Sequence, residues 1–417
     1  MGSSDMRRLA EAARAASRAL ALAAPQPKDR ALRLAAGLLG ERAASVAEAN
    51  ARDLDAARAA GLSAAMVDRL RFSGERLAAT AAGVLAVAEL PDPVGAVLGK
   101  TVRPNGMRLE RVRVPIGVIL MIYESRPNVT VDAAALCLKS GNAAVLRGGK
   151  EALATNLALA GIWAEALAGA GLPREAVQVV PTADRAALDE LLGLDDLIDL
   201  VIPRGGEGLI RAVAAKSRIP TIKHYKGVCH LYVHPAADPE MARKLAVNAK
   251  VQRPGVCNAL EKLLVDAAVA ERFLPGCLAE LRALGVELRG CERTRRIDPA
   301  VLPAGEDDWA AEYLDLVLAV RVVDGLDAAV GHINRWGSHH TDAIVTADAA
   351  AAERFLAAVD SACVFWNVST RFSDGCEFGL GAEIGISTDK LHARGPMGLE
   401  ELCTYKWIAR GDGQVRG

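Results

Sequence analysis

The chain has 417 residues, more than one hydrophobic core usually organises, so two or three lobes are expected. Lys and Arg number 50 against 51 Asp and Glu, a formal net charge of −1, and no stretch interleaves basic residues with aromatics, which excludes a chain built to follow a nucleic-acid backbone. Hydrophobic residues make up 51 %, much of it alanine, and the longest apolar runs, such as 114–123, are too short to cross a bilayer, so no membrane-spanning helix is expected.

The amino terminus runs directly into a helical pattern without an apolar leader, and the 8 cysteines are scattered without paired CxxC spacing. Both features point to a reducing, cytoplasmic setting with no disulfide framework and no metal site. Residues 5–90 repeat apolar positions at helical spacing, as in Leu32, Ala35, Ala36 and Leu39, and predict a helical lead-in. Residues 101–114 alternate apolar and charged side chains around Asn105-Gly106, a hairpin signal with the look of an arm.

Apolar, β-branched runs follow at 116–123, 143–146, 177–180, 197–202 and 230–233, separated by helical stretches; the rhythm resumes at 260–265, 286–289, 316–323 and 343–346. Strands alternating with helices imply right-handed crossovers and mainly parallel sheets in an α/β fold of two lobes. The tail, 403–410, alternates again and could add a strand to a neighbouring sheet edge.

Three constellations carry chemistry. Cys257 follows Gln252-Arg253-Pro254-Gly255-Val256, a polar turn before a helical or strand start. A helix amino terminus and Arg253 would both favour the thiolate. Asp199-Leu200-Val201-Ile202-Pro203-Arg204-Gly205-Gly206 reads as a strand, a glycine turn and a helix start, able to bring backbone N–H groups to phosphate. Arg204 beside it favours NADPH over NADH. Tyr123-Glu124-Ser125-Arg126-Pro127-Asn128 follows a buried strand and opens a helix; its amide and guanidinium groups could converge on a substrate carbonyl.

These motifs, together with Lys139-Ser140-Gly141-Asn142-Ala143 and the stretch 377–388, resemble gamma-glutamyl phosphate reductases of the aldehyde dehydrogenase superfamily, in the same order through nearly the whole chain. The resemblance implies an aldehyde dehydrogenase-like α/β fold with a β-hairpin oligomerisation arm. It divides the chain into a cofactor-binding lobe at 1–98 and 115–235, a catalytic lobe at 236–368 carrying Cys257, and an arm with a carboxyl-terminal segment at 99–114 and 369–417. It implies that Cys257 attacks the acyl phosphate of gamma-glutamyl phosphate, that phosphate leaves a thioester, and that hydride from NADPH yields glutamate 5-semialdehyde on the way to proline. The backbone N–H of Cys257 and Asn128 would hold the oxyanion. Arg147, Lys150, Arg204, Gly205, Gly206 and Glu312 would hold the cofactor, and Ser125, Arg126, His224, Arg253 and Arg371 the substrate. A homo-oligomer, dimer or tetramer, and contact with glutamate 5-kinase are implied as well.

Hydrolytic aldehyde dehydrogenases carry a water-activating glutamate near the place of His224. Here the local sequence is Lys223-His224-Tyr225-Lys226-Gly227, a cationic setting that suits a phosphate leaving group. The rival readings are a hydrolytic aldehyde dehydrogenase, and a cysteine hydrolase or acyltransferase in which His224 activates Cys257 without nicotinamide.

Overall fold

A computed structural model describes residues 3–416. The chain forms two compact units, one of residues up to 223 with 379–385 and 397–417, the other of 224–378 with 386–396.

In the first unit the lead-in is five helices: α1 (Ser3–Leu20), α2 (Pro25–Glu41), α3 (Ala43–Ala59), α4 (Ala64–Leu70) and α5 (Glu75–Glu89). Helix α2 opens on a proline in its first turn, where a missing N–H costs nothing, and buries Leu32, Ala35, Ala36 and Leu39. The predicted hairpin is β1 (Val97–Val102) and β2 (Arg108–Pro115), antiparallel, with Gly106 at φ +84° in its turn. Then come β3 (Val118–Tyr123), α6 (Pro127–Lys139), β4 (Ala143–Arg147), α7 (Leu153–Gly169), β5 (Val177–Val179), α8 (Arg185–Leu191), β6 (Leu200–Arg204) and α9 (Glu207–Lys216). Their strands form a parallel sheet in the order β5-β4-β3-β6. The order reverses at β3, so the crevice beyond the carboxyl ends of β3 and β6 is where such a sheet takes a ligand. One stretch, Lys150–Gly169, is long and apolar enough to cross a membrane by length and composition; here it is a layer helix whose Leu159, Ile162, Trp163, Ala166 and Leu167 are buried beside α2, α3 and β5.

In the second unit, β7 (Cys229–Val233), α10 (Pro239–Val251), β8 (Leu260–Asp266), α11 (Ala267–Ala283), β9 (Glu287–Gly290), β10 (Leu302–Pro303), β11 (Val317–Val323), β12 (Thr341–Val345) and β13 (Cys363–Trp366) build a seven-stranded parallel sheet, ordered β10-β9-β11-β8-β7-β12-β13. Alternation along the strands fills both faces. Leu231, Val233, Leu263 and Val265 pack under α10 and α11, while Tyr232, Leu264 and Ile344 pack on Phe355 from the opposite side.

One expectation needs correction. The boundary after 235 falls earlier, because β7 hydrogen-bonds between β8 and β12 and so joins the second sheet. The tail strand takes a neighbouring sheet edge as expected: after the short β14 (Gly385–Ser387) and β15 (Gly395–Met397), β16 (Cys403–Arg410) pairs antiparallel with β2 from Cys403↔Pro115 to Arg410↔Arg108.

Asn142 ties three parts of the first unit together. Its Oδ1 accepts from Gly117 N–H at 2.8 Å before β3, and its Nδ2 donates to Leu402 O at 2.8 Å before β16 and to Ser140 Oγ at 2.9 Å. The preceding Gly141 has φ +78°, and a Cβ there would lie 2.7 Å from Pro115 Cγ. Lys28 and Lys139, both fully buried, bind the helical lead-in to the end of α6. Lys28 Nζ donates to Lys139 O at 3.2 Å and pairs with Asp92 at 2.6 Å, and Lys139 Nζ donates to Ala88 O at 2.8 Å. Asn142→Ala leaves the Gly117 N–H and the Leu402 carbonyl without these partners and is expected to cost about 2–4 kcal/mol. Thermal unfolding checks it: an unchanged midpoint would contradict the bridging role.

Candidate active site

Cys257 is half-buried in the turn between the end of α10 and the start of β8. A strand, not a helix, follows it, so the turn does not place the thiol at the amino terminus of a following helix. Its backbone is instead gripped by the segment entering β7. A Cβ on Gly227 would lie 1.8 Å from Cys257 O and 2.6 Å from its Cα, a contact only glycine permits. The Cys229 thiol, which burial holds well above its ordinary range, donates to Cys257 O at 3.2 Å. Gly227 N–H donates to Glu312 Oε1 at 2.8 Å, and Val228 N–H to Ser338 Oγ at 2.8 Å. On the other side of the cysteine, the buried Asn258 donates through Nδ2 to Ser373 O at 2.9 Å.

Two imidazoles converge on the sulfur: ligand atoms of His224, Cys257 and His340 all lie within 4.8 Å of one another. His224 Nδ1 is 2.9 Å from Ile386 O. A carbonyl can only accept, so Nδ1 carries the proton and Nε2 is the lone-pair nitrogen of the neutral ring. His340, fully buried beside His224 with ring centroids 5.6 Å apart, is pushed down to about 3 by burial and so is neutral at physiological pH. Sequence reasoning had found His224 but not His340; a His-His pair before a strand looks the same whether it lines a site or fills a core.

Glu312 is presented by a turn rather than a helix, and buried charges fix that turn. Lys262 Nζ donates to Ala311 O at 2.7 Å and stands 4.3 Å over the Tyr313 ring, while Glu261 Oε1 accepts from Leu314 N–H at 3.2 Å. Glu261 also pairs with the buried Lys250 at 3.3 Å. Burial lowers the Lys262 ammonium to about 7 against the pull of Glu261. These residues were missed because charged residues inside a predicted strand give no sign of what they hold.

Arg253 is exposed and Arg371 partly buried; Arg371 Nε donates to Gln252 Oε1 at 2.9 Å. Burial, and then the charge of Arg253, lowers the Arg371 guanidinium from its ordinary value. Two like charges held close in the same unit as Cys257 favour an anion.

In the first unit, the carboxyl ends of β3, β4 and β6 carry the remaining candidates. Gly205 and Gly206 follow β6, but Glu124 fills their turn: its Oε2 accepts from Gly206 N–H at 2.9 Å, and a Cβ on Gly205 would lie 2.6 Å from that carboxylate. Arg204 lies against Gly385, where a Cβ would meet its Nη1 at 1.8 Å. Arg147, at the end of β4, donates to Gly148 O and Ala183 O and keeps a buried Nε without a partner. Arg185 adds positive charge beside it, and Lys150 is exposed three residues on. Ser125 is committed to Glu151, to which its N–H donates at 2.9 Å, and Arg126 is the exposed residue capping α6. Asn128 Nδ2 donates to Asp132 Oδ2 at 3.0 Å one turn along α6, and burial raises the Asp132 carboxyl to about 6.

Two parallel α/β sheets and a cysteine turn entering a strand define the class, and the sequence model of the aldehyde dehydrogenase family matches residues 1–304. The chain belongs to the aldehyde dehydrogenase family. It is 58 % identical to the gamma-glutamyl phosphate reductase of Anaeromyxobacter dehalogenans (strain 2CP-1) over 417 residues, covering 99 % of this chain and 97 % of the relative. To that of Opitutus terrae it is 58 % identical over 413 residues, 98 % of this chain and 97 % of the other. The crystal structure of the gamma-glutamyl phosphate reductase of Thermotoga maritima matches with a TM-score of 0.98 at 45 % identity, covering 99 % of this chain and 100 % of that one. An acetylating aldehyde dehydrogenase of Geobacillus thermoglucosidasius shares the fold, with a TM-score of 0.68 at 18 % identity and 100 % and 98 % coverage.

Gly227→Ala forces backbone against backbone, so Cys257 must move: its alkylation by iodoacetamide is expected to slow by at least about tenfold with circular dichroism retained. An unchanged rate would show that the contact does not place the thiol. Asp132 titrates higher folded than unfolded, so the folded state holds an extra proton between about pH 4 and 6 and loses stability as pH rises through that window. Asp132→Asn removes the buried charge and should stabilise at pH 7.5 by on the order of 1–3 kcal/mol, with little gain at pH 4. Thermal midpoints at the two pH values read the difference, and an equal effect at both would contradict the cause given.

Proposed function

We propose that the chain reduces gamma-glutamyl phosphate to glutamate 5-semialdehyde and phosphate with NADPH, through a thioester on Cys257, as a cytoplasmic enzyme of proline biosynthesis. The observation that carries the reading is the clamped Cys257 turn with two imidazoles gathered at its sulfur. The names of the relatives supply the substrate.

In this mechanism His224 Nε2 takes the Cys257 proton, while the ring stays oriented by its Nδ1–H bond to Ile386 O. The thiolate attacks the acyl carbon, the C–O bond to phosphate breaks, and the electron pair leaves with phosphate. The Cys257 N–H stabilises the oxyanion of each tetrahedral stage, and Arg253 and Arg371 attract the departing phosphate or the substrate carboxylate. A bound nicotinamide supplies the hydride to the thioester carbon. The C–S bond then breaks and returns the thiolate to Cys257. At the place where hydrolytic relatives carry a water-activating glutamate the local sequence is Lys223-His224-Tyr225-Lys226-Gly227, a cationic stretch that supports phosphate release and reduction over release of a free acid.

The crevice of the first unit suits a phosphorylated dinucleotide. The unpartnered, buried Nε of Arg147, with Arg185 beside it and Lys150 three residues on, offers charge for the ribose end, and Arg204, Gly205 and Gly206 line the β6 turn; in the second unit the Glu312 carboxylate would be an acceptor for a ribose hydroxyl. Eight free thiols fit a reducing cytoplasm. The exposed Tyr405 and Trp407 on β16 support self-association into a dimer or tetramer. An acyl phosphate is labile, which favours its transfer from the glutamate 5-kinase that makes it.

Run in reverse with glutamate 5-semialdehyde, the enzyme should reduce NADP beyond one equivalent per chain only when inorganic phosphate is present, and Cys257→Ala should lower the rate by at least about a thousandfold. Turnover without phosphate would point to hydrolytic oxidation instead.

A further inference from the structure

The groups around Cys257 form a donor set that the reduction does not call on as a set. His340 is fully buried, yet its Nε2 has no hydrogen-bond partner, an arrangement that is unfavourable for a buried polar atom unless a ligand completes it. Its Nδ1 is engaged by Thr341 Oγ1 at 2.9 Å, which leaves Nε2 as the nitrogen open to a ligand. The His224 Nδ1 is likewise engaged by a protein oxygen, Ile386 O, at 2.9 Å. A histidine ligand whose other nitrogen donates to a protein oxygen is the usual outer shell of a metal ligand.

We infer that His224, Cys257 and His340 form a binding site for a thiophilic divalent cation of the Zn²⁺ type, held by Cys257 Sγ and one nitrogen of each ring, which reversibly blocks the nucleophile. Two imidazoles and a thiolate with a fourth position left to water match the coordination of zinc and cobalt, and select against magnesium and calcium, which prefer oxygen. The three ligand atoms lie within 4.8 Å of one another, whereas a tetrahedral zinc site brings its ligands to about 3.5 Å. The set therefore closes by about 1 Å, within reach of a χ1 rotation of Cys257. Binding displaces the thiol proton, forms the S–metal bond and needs no redox partner. With its sulfur coordinated, Cys257 cannot attack an acyl phosphate. Free Zn²⁺ then acts as an inhibitor that competes with acylation and is removed by a chelator.

Cobalt absorption reads this site without turnover, so its outcome is separate from the fate of the proposed reaction. The full chain, stripped of metal, is titrated with Co²⁺. The expected result is one equivalent per chain, intense visible bands of tetrahedral cobalt, a sulfur-to-cobalt charge-transfer band, and displacement of both by Zn²⁺. Cys257→Ser should abolish the charge-transfer band, and His340→Asn should weaken binding by at least about tenfold. A pale octahedral spectrum in the wild type, or a charge-transfer band that survives Cys257→Ser, would overturn the inference even if His340→Asn fails to fold.

Discussion

The second unit depends on one close approach, the Gly227 backbone laid against the Cys257 carbonyl. Nothing larger than a hydrogen fits between them, and three hydrogen bonds hold the contact: Cys229 Sγ to Cys257 O, Gly227 N–H to Glu312, and Val228 N–H to Ser338. Two adjacent parallel strands, β7 and β8, thereby start from a common point, with their register shifting between Cys229 and His230. Cys257 stands at that point because it belongs to the turn that begins a buried strand. Its placement is set by sheet formation rather than by a flexible loop, which is how a rigid scaffold holds a reactive group.

Buried charge extends the same logic outward. Lys250, Glu261 and Lys262 sit inside the second unit, where isolated ions would be costly, and each is spent on backbone or on another charge. Their product is the turn that offers Glu312 to Gly227. In the first unit Lys28, Lys139 and Asn142 serve a comparable purpose, anchoring the helical lead-in and the carboxyl-terminal strand to the start of the parallel sheet.

Much of this was legible in the sequence, and the reasons differ by element. Fully buried parallel strands read as β-branched runs, so β3, β8 and β12 were located within a few residues, and Asn105-Gly106 announced its hairpin. The edge strand β13 was missed because Cys363-Val364-Phe365-Trp366 is short and, with only Cys363 fully buried, lacks the continuous apolar burial of the central strands. Cys257 stood out through its Pro-Gly setting, but whether a helix or strand followed depended on pairing with β7, a non-local fact. The motif around Gly141-Asn142, which carried part of the family resemblance, turns out to be structural: a positive-φ glycine and a buried amide that bridges three segments. The glycine turn after β6 was legible as a turn, while its occupant, the Glu124 carboxylate 82 positions away in sequence, was not.

The central claim is that Cys257 carries the acyl group. Mixing the enzyme with glutamate 5-semialdehyde and oxidised nicotinamide, without phosphate, and quenching in acid should trap one glutamyl adduct per chain. Peptide mass spectrometry should place it on Cys257, and hydroxylamine should release it. An adduct on another residue, or rapid reduction of the nicotinamide with no adduct formed, would contradict the account.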